Sequence, residues 1–577
     1  RVLPLLLALL AGCGEVWNDP YPAADRGGNI LYSVFADRPK HLDPAQSYAS
    51  DEAVFTRQVY EPPLQYHYLK RPYELIPLTA AEVPRPKLIE KGGSTYSVYE
   101  IRIRSGIRYQ PHPAFVSENQ NLQEKRIEGL KSPYDLPLAT RELTADDYIY
   151  QIKRLAHPQL HTPIFGLMSE YIVGLKEYAE RLKDAVKPGQ WLDLREHAIE
   201  GVTRVDAYTY RVMLKGRYPQ FVYWLAMPFF APMPWEAEKF FHQGGMAEKN
   251  FTLDWWPVGT GAFMLSQNDP NSRMVLERNP NFRGEAYPLA GEAGDAARGL
   301  LADAGKTMPF IDKAVYTREK EAIPLWNKFL QGYYDLSGIG SDNFDQAVRV
   351  SLEGDAALTP EMESKGIRLD TTIAPTIYYL GANWLDPVVG GSQGGEAAER
   401  ARKLRQALAI AVDWEEYLSI FANGRGVPSY SPLAPGIFGY REGAEAINPV
   451  THEWKDGKAR RRPIEAARKL LAEAGYPEGR DASSGQPLVL YLDTTSRGPG
   501  DKAVMDWWRK QFAKLPVQFE PRQTDWNRFQ EKLRKGSTQL FIVGWSADYP
   551  DPENFMFLLH GPQSRAKNQG ENASNYA

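Results

Sequence analysis

Cysteine is nearly absent from this chain of 577 residues: Cys13 is the only one. A single thiol excludes an intramolecular disulfide, a Cys-based metal cage and a CxxC redox pair. Net charge is nearly absent too. Lys and Arg number 68 against 72 Asp and Glu, a formal charge of −4, so no bulk field is available to hold nucleic acid. Long hydrophobic runs are missing beyond the N-terminal stretch. The most apolar later run, Phe221 to Trp235, is interrupted by Pro228, Pro232 and Pro234. It falls short of the ~20 residues that a membrane-spanning helix needs, and it reads as a buried crossing between lobes.

What is present fits an ordinary globular protein: 43% hydrophobic and 24% charged residues, enough apolar material to offset chain entropy. At about 150 residues per domain the length suggests roughly four domain-sized units or two large lobes. The 47 Gly and 44 Pro imply many turns, and the 14 Trp and 32 Tyr can serve a core, an interface or a ligand cleft. The N-terminus reads Arg1, an apolar run from Val2 to Leu10, then Ala11-Gly12-Cys13. A cationic start, a short leucine-rich stretch and small residues form an export signal. Leu10 to Cys13 resembles a bacterial lipobox, in which the cysteine is diacylated and becomes the new N-terminus. Residues 1–12 are thus expected to be a lipoprotein signal peptide, Cys13 the lipid attachment point and 13–28 a polar tether. Because residue 1 is Arg, the true start is expected upstream.

Strand and helix signals alternate along the rest. Ile30 to Phe35 is β-branched and aromatic, and residues 51 to 60 look helical before Pro62-Pro63. Ser97, Tyr99, Ile101 and Ile103 alternate with Glu100, Arg102 and Arg104, the period of a half-exposed strand. Thr144 precedes a helix with Asp146 and Asp147 in its first turn. The Gly/Ala-rich stretch from about Glu285 to Lys306 reads as a surface insertion. In the second half, strands at 376–380, 488–492 and 539–543 alternate with helices at 396–412, 463–474 and 502–515, which predicts α/β lobes with largely parallel sheets.

Eight segments, in order, resemble one family: the peptide-binding proteins of bacterial ABC importers, solute-binding family 5. They are His41-Leu42-Asp43-Pro44; Val59-Tyr60-Glu61-Pro62-Pro63-Leu64; Leu143-Thr144-Ala145-Asp146-Asp147 with Lys153-Arg154; and Pro257-Val258-Gly259-Thr260-Gly261. The others are Arg278-Asn279-Pro280-Asn281-Phe282; Leu404-Arg405-Gln406-Ala407-Leu408 with Asp413; the run Ala467 to Tyr476; and Gly544-Trp545-Ser546-Ala547-Asp548-Tyr549-Pro550-Asp551-Pro552. The resemblance implies an α/β, two-lobed periplasmic-binding-protein fold with a hinge and an extra subdomain on lobe I. Carried onto this chain, lobe I is 29–68 and 200–310, the appended subdomain 69–199 and lobe II 311–577. Relatives return to lobe I tens of residues past the last motif, a segment absent here, so either a continuation beyond Ala577 is expected or the protein lacks that return.

The resemblance also implies the site. Asp548 is expected to accept the α-ammonium of a peptide, since a desolvated cation needs an anionic acceptor; a loop-capping role is the alternative. Trp545 would wall the site, Trp526 would line a side-chain pocket, and Gly544 and Ser546 would offer backbone groups to an extended peptide. Tyr48 is a weaker candidate with a structural alternative. Some relatives carry an Arg three residues before the motif Trp, which pairs with a short peptide's carboxylate; here Ile542 stands there. The implied partners are an oligopeptide, a membrane permease with its ATPase subunits and, through Cys13, the membrane itself. A monomer with no cofactor, no metal, no nucleic acid and no catalytic residue is expected. A sugar oligomer, a nickel complex or haem is the alternative cargo. Two weaker patterns point to other classes. Gly390-Gly391-Ser392-Gln393-Gly394 fits a hydrolase nucleophile elbow but lacks a proper strand before it. His157 and His161 have metal-ligand spacing with Pro158 between them.

Overall fold

The computed structural model describes residues 21–187, 189–350, 356–496 and 498–576. The expected signal peptide, Cys13 and the start of the expected tether lie outside the described residues.

The β-branched and aromatic run Ile30–Phe35 becomes a strand that pairs in parallel with Lys313–Arg318, Ile30 opposite Lys313. Arg273–Arg278 and Phe263–Asp269 follow antiparallel to complete a four-stranded sheet. Lys313–Arg318 lies on the lobe II side of the expected boundary at 310, yet it sits inside the lobe I sheet. A second antiparallel sheet runs in the order Lys87–Lys91, Ser94–Arg102, Thr209–Lys215, Val202–Asp206. Its last two strands lie past the expected end of the appended subdomain at 199 and close that subdomain's sheet. Ser97, Tyr99, Ile101 and Ile103 are buried while Glu100, Arg102 and Arg104 are exposed, as the period-two pattern requires. The run from Phe221 to Trp235 does not cross between lobes: Phe221, Trp224, Phe229 and Phe230 are part of the lobe I core.

The third sheet forms lobe II in the order Thr376–Ala382, Leu540–Ser546, Val489–Thr495, Gln518–Thr524. Val489–Thr495 is parallel to both Gln518–Thr524 and Leu540–Ser546, whereas Thr376–Ala382 is antiparallel to Leu540–Ser546. The lobe II sheet is thus largely parallel, with Thr376–Ala382 as its one antiparallel edge, whereas the lobe I sheet is mixed, a hairpin of Phe263–Asp269 and Arg273–Arg278 adding two antiparallel pairings to one parallel one. Helices Gly395–Ala411, Ile464–Glu473 and Lys502–Phe512 cover the lobe II sheet through a separate core that includes Leu404, Leu471, Trp508 and Leu490. After the last strand the chain touches both lobes: Tyr549 is buried in the lobe I core, while Phe555 and Ala573 pack back onto lobe II.

One buried ion cluster fastens lobe I. Arg154, 1% exposed, ends the Ala145–Arg154 helix and makes a bidentate pair with Asp43 at 2.6 and 2.9 Å and a bond to Glu238 at 2.8 Å. It thereby ties the His41-Leu42-Asp43-Pro44 turn to the Trp235–Phe241 helix. Burial opposes the charge of Glu238, but the Arg154 guanidinium outweighs it and holds the carboxyl at about 2. Removing the cation alone would strand two buried carboxylates. Arg154→Met is expected to cost about 3–5 kcal/mol, read as a lowered urea midpoint. Replacing all three charged groups together by Met and Leu should cost less than that single change.

Candidate functional site

The interlobe contact is built around the loop that follows Leu540–Ser546. Asp548 is half-buried there and has two side-chain donors. The Tyr48 hydroxyl, from lobe I, donates to its Oδ2 at 2.7 Å, and the Asn554 amide donates to the same oxygen at 2.9 Å. Asn554 also accepts from the Asp548 backbone N–H at 2.8 Å and from Trp545 Nε1 at 3.1 Å. A single fully buried amide thus fixes both the loop backbone and the indole. Neither side-chain donor to Asp548 carries a charge. Burial pushes its carboxyl up to about 6, while the bonds from Asn554 and Tyr48 and the more distant Arg57 pull the other way.

Tyr48 is therefore brought directly to Asp548, and its ring meets Trp545 edge-on with centroids 5.6 Å apart. Trp545 is divided in role: it touches Tyr48 on one side and packs with Ile377, Ile437 and Phe555 on the other. Gly544 faces Tyr378, whose ring would lie 2.6 Å from an added Cβ, so its first structural job is to make room for that ring. Ser546 is exposed, with its hydroxyl 2.9 Å from that of Thr376. The strand that carries Gly544, Trp545 and Ser546 pairs with Thr376–Ala382 along its full length. On its other side it pairs with Val489–Thr495 only at Leu540 and Phe541, which leaves the later residues with one strand neighbour. Trp526 lies apart from Asp548. It packs against Phe529 and donates across the lobes to Asp51, whose carboxyl is pushed up to about 7, chiefly by burial and next by neighbouring Glu52.

A cavity of about 250 Å³ opens beside Asp548. Lobe I contributes Tyr66, Arg71 and Tyr73 to it; Ile437 and Ala547 come from lobe II. A larger cavity, about 630 Å³, lies within lobe II between Thr376–Ala382 and the Gly395–Ala411 helix; motif residues Arg405 and Leu408 line it, but none of the expected ligand-binding residues does. Asn554, Asp51, Tyr66 and Arg71 were missed by sequence reasoning. Asn554 alone had a signal, its place just after the Asp548 motif.

The weaker patterns do not assemble. Ser392 is exposed in a turn, and Asp386 to Val389 before it form no strand, so the geometry of a nucleophile elbow is missing. His157 accepts a hydrogen bond from the Gln159 N–H, and His161 faces Gln569. Among the described residues no cluster suits a metal ion, and no helix is long and apolar enough to cross a membrane.

Two raised carboxyls at a lobe interface make closure without ligand a proton-binding step. Separating the lobes would return both groups to water and lower them toward the ordinary value of about 4, Asp51 less completely because Glu52 stays beside it; in contact Asp548 is raised to about 6 and Asp51 to about 7. Their contribution favours contact fully below the lower value and is lost as pH rises through the upper ones. The ligand-free protein is expected to expand between about pH 5 and pH 8 in small-angle scattering. The double change Asp548→Asn and Asp51→Asn should flatten that response.

A family model described as bacterial extracellular solute-binding proteins, family 5, matches residues 140–567. The chain is 25% identical over 418 residues to the periplasmic oligopeptide-binding protein OppA of Salmonella typhimurium, covering 72% of this chain and 63% of that one. It is 24% identical over 427 residues to heme-binding protein A of Haemophilus influenzae, covering 73% and 62%. The chain thus spans less than two thirds of the length of these curated relatives. Among solved structures, the periplasmic binding protein DppA of Helicobacter pylori in complex with peptide STSA superposes with a TM-score of 0.61 at 18% identity, covering 95% of this chain and 84% of that one. That likeness is one of fold.

Proposed function

The chain belongs to the family 5 bacterial extracellular solute-binding proteins, and from that premise we propose that it captures peptides between its lobes for a membrane permease driven by separate ATPase subunits. The observation that carries this reading is Asp548, a partly desolvated carboxylate in the interlobe cleft with only neutral side-chain donors. A peptide α-ammonium supplies the missing charge. The open side of the strand through Gly544 and Ser546 can accept an extended backbone by β-augmentation, which reads main chain and tolerates varied side chains. Tyr48 and Trp545 close over the N-terminal residue, and Trp526 helps to hold the lobes together.

The mechanism is non-enzymatic. Lobe contact without ligand leaves Asp548 bonded to Tyr48; a ligand that binds both lobes favours the closed population through its differential affinity. Permease docking and ATP hydrolysis elsewhere then release the cargo. Cys13 carries the lipid that tethers the mature, periplasmic (extracytoplasmic) monomer to a membrane.

Protein purified without refolding should release a ladder of peptide masses in native mass spectrometry; a single non-peptide mass would replace peptide as the cargo. Asp548→Ala should weaken a peptide found in that ladder by more than about tenfold in calorimetry, and an unchanged affinity would remove Asp548 from the site. Cys13→Ser should abolish metabolic labelling with a radioactive fatty acid and leave the protein in the aqueous phase of a detergent partition. Retention in the detergent phase would refute the lipid anchor.

A further inference from the structure

The cavity beside Asp548 is furnished at its far side as well. Tyr66, on the short strand Leu64–Tyr66, has a buried hydroxyl with no hydrogen-bond partner among the described residues. Other tyrosines share that condition, Tyr60 and Tyr109 among them, but they belong to the lobe I core, whereas Tyr66 lines the interlobe cavity. An unpartnered buried hydroxyl is costly unless something else satisfies it. Arg71 lines the same cavity. Its guanidinium donates only to the backbone carbonyls of Tyr68 and Lys70 and lies 4.6 Å from the Tyr73 ring centroid; no carboxylate pairs with it among the described residues.

The loop that presents Arg71 is held from behind. His67 Nδ1 accepts the N–H groups of Leu69 and Lys70. The Arg71 N–H donates to Glu292 at 3.1 Å, and Tyr68 meets Tyr287 edge-on. The stretch from 285 to 306 thus acts as a buttress, which gives the surface insertion a task. Tyr73 in turn meets Tyr66 edge-on, so the cation, the ring beneath it and the orphan hydroxyl form one continuous wall.

We propose that Arg71 binds the C-terminal carboxylate of a short peptide whose ammonium rests on Asp548, with the Tyr66 hydroxyl bonding the peptide between the two ends. This rests on the peptide reading above and adds to it a length class and a second charged anchor, contributed by lobe I where Ile542 leaves lobe II without one. A guanidinium suits the task because its forked donors match both carboxylate oxygens.

The test uses alanine peptides of two to six residues, each as free acid and as C-terminal amide, titrated into the wild-type protein, Arg71→Met and Tyr66→Phe. At a short length the amide should bind the wild type about fivefold more weakly than the acid, the scale of a solvent-rimmed charge pair. Arg71→Met should erase that gap. Tyr66→Phe should weaken acid and amide alike, and the gap should vanish for peptides that outgrow the cavity. No acid–amide gap at any length in the wild type, or a gap that survives Arg71→Met, overturns the assignment. N-acetylated peptides separate the two readings. If acetylation abolishes binding and amidation does nothing, the Arg71 anchor falls while Asp548 stands. If acetylation is harmless, or no alanine peptide binds, the Asp548 reading falls and this one with it.

Discussion

A carboxylate taken partly out of water must find either a cation or a proton, and Asp548 has been given only the Tyr48 hydroxyl and the Asn554 amide as side-chain partners. Neutral donors reduce the cost of burial without cancelling the charge, so the group keeps an unmet preference for a positive partner. The surrounding loop is arranged to preserve that preference. Asn554 satisfies the backbone and the indole, leaving the carboxylate free to accept the Tyr48 hydroxyl. Immediately afterwards Tyr549 enters the lobe I core, stacked on Tyr223 with centroids 5.4 Å apart and sharing Glu553 with Tyr218. The segment that carries the charge is therefore stitched to both lobes.

Such stitching explains why the rest of lobe I must be stiff. Tyr48 follows shortly after Asp43, and Asp43 is one arm of the Arg154 cluster. The Ser50–Val59 helix after Tyr48 is held by Glu52, whose carboxylate accepts the N–H groups of His41 and Tyr48. Two buried carboxylates thus fix the ends of the segment that aims Tyr48 at the cleft. Ion clusters of this kind add little net stability against well-packed apolar substitutes. What this one supplies is a single position for a hydroxyl that must reach across a gap between lobes.

The elements with strong periodicity were legible from sequence. The strands Ile30–Phe35 and Ser94–Arg102 and the helices near 145–154, 395–411 and 464–473 follow from β-branched composition, alternation, capping residues and helix-forming runs, which are local properties. The pairing of Lys313–Arg318 with Ile30–Phe35, and of the strands after 200 with the sheet of the appended subdomain, was not legible, because strand partners far apart in sequence leave no local trace. The site divided in the same way. Asp548 and Trp545 lie in a motif that can be read in a line. The part played by Tyr48 depends on a contact spanning 500 residues, and those of Asn554, Tyr66 and Arg71 depend on where the loops come to rest.

How the site is shared between the lobes decides what closure can recognise. Lobe II carries the carboxylate and a half-paired strand; lobe I carries Tyr48, Tyr66 and Arg71. Neither lobe alone offers Asp548 together with Tyr48, Tyr66 and Arg71, so a ligand on one lobe leaves polar groups on the other unsatisfied. Only the difference in affinity between separated and joined lobes can shift the balance. A ligand that merely fills space gains nothing by closure beyond the contacts Tyr48 and Trp545 already make with each other. A ligand carrying a cation replaces a neutral hydroxyl by a charge at Asp548, and that replacement is available only where the lobes meet. On this reading the Tyr48–Asp548 bond is a weak placeholder, strong enough to order the loop and weak enough to yield to an ammonium.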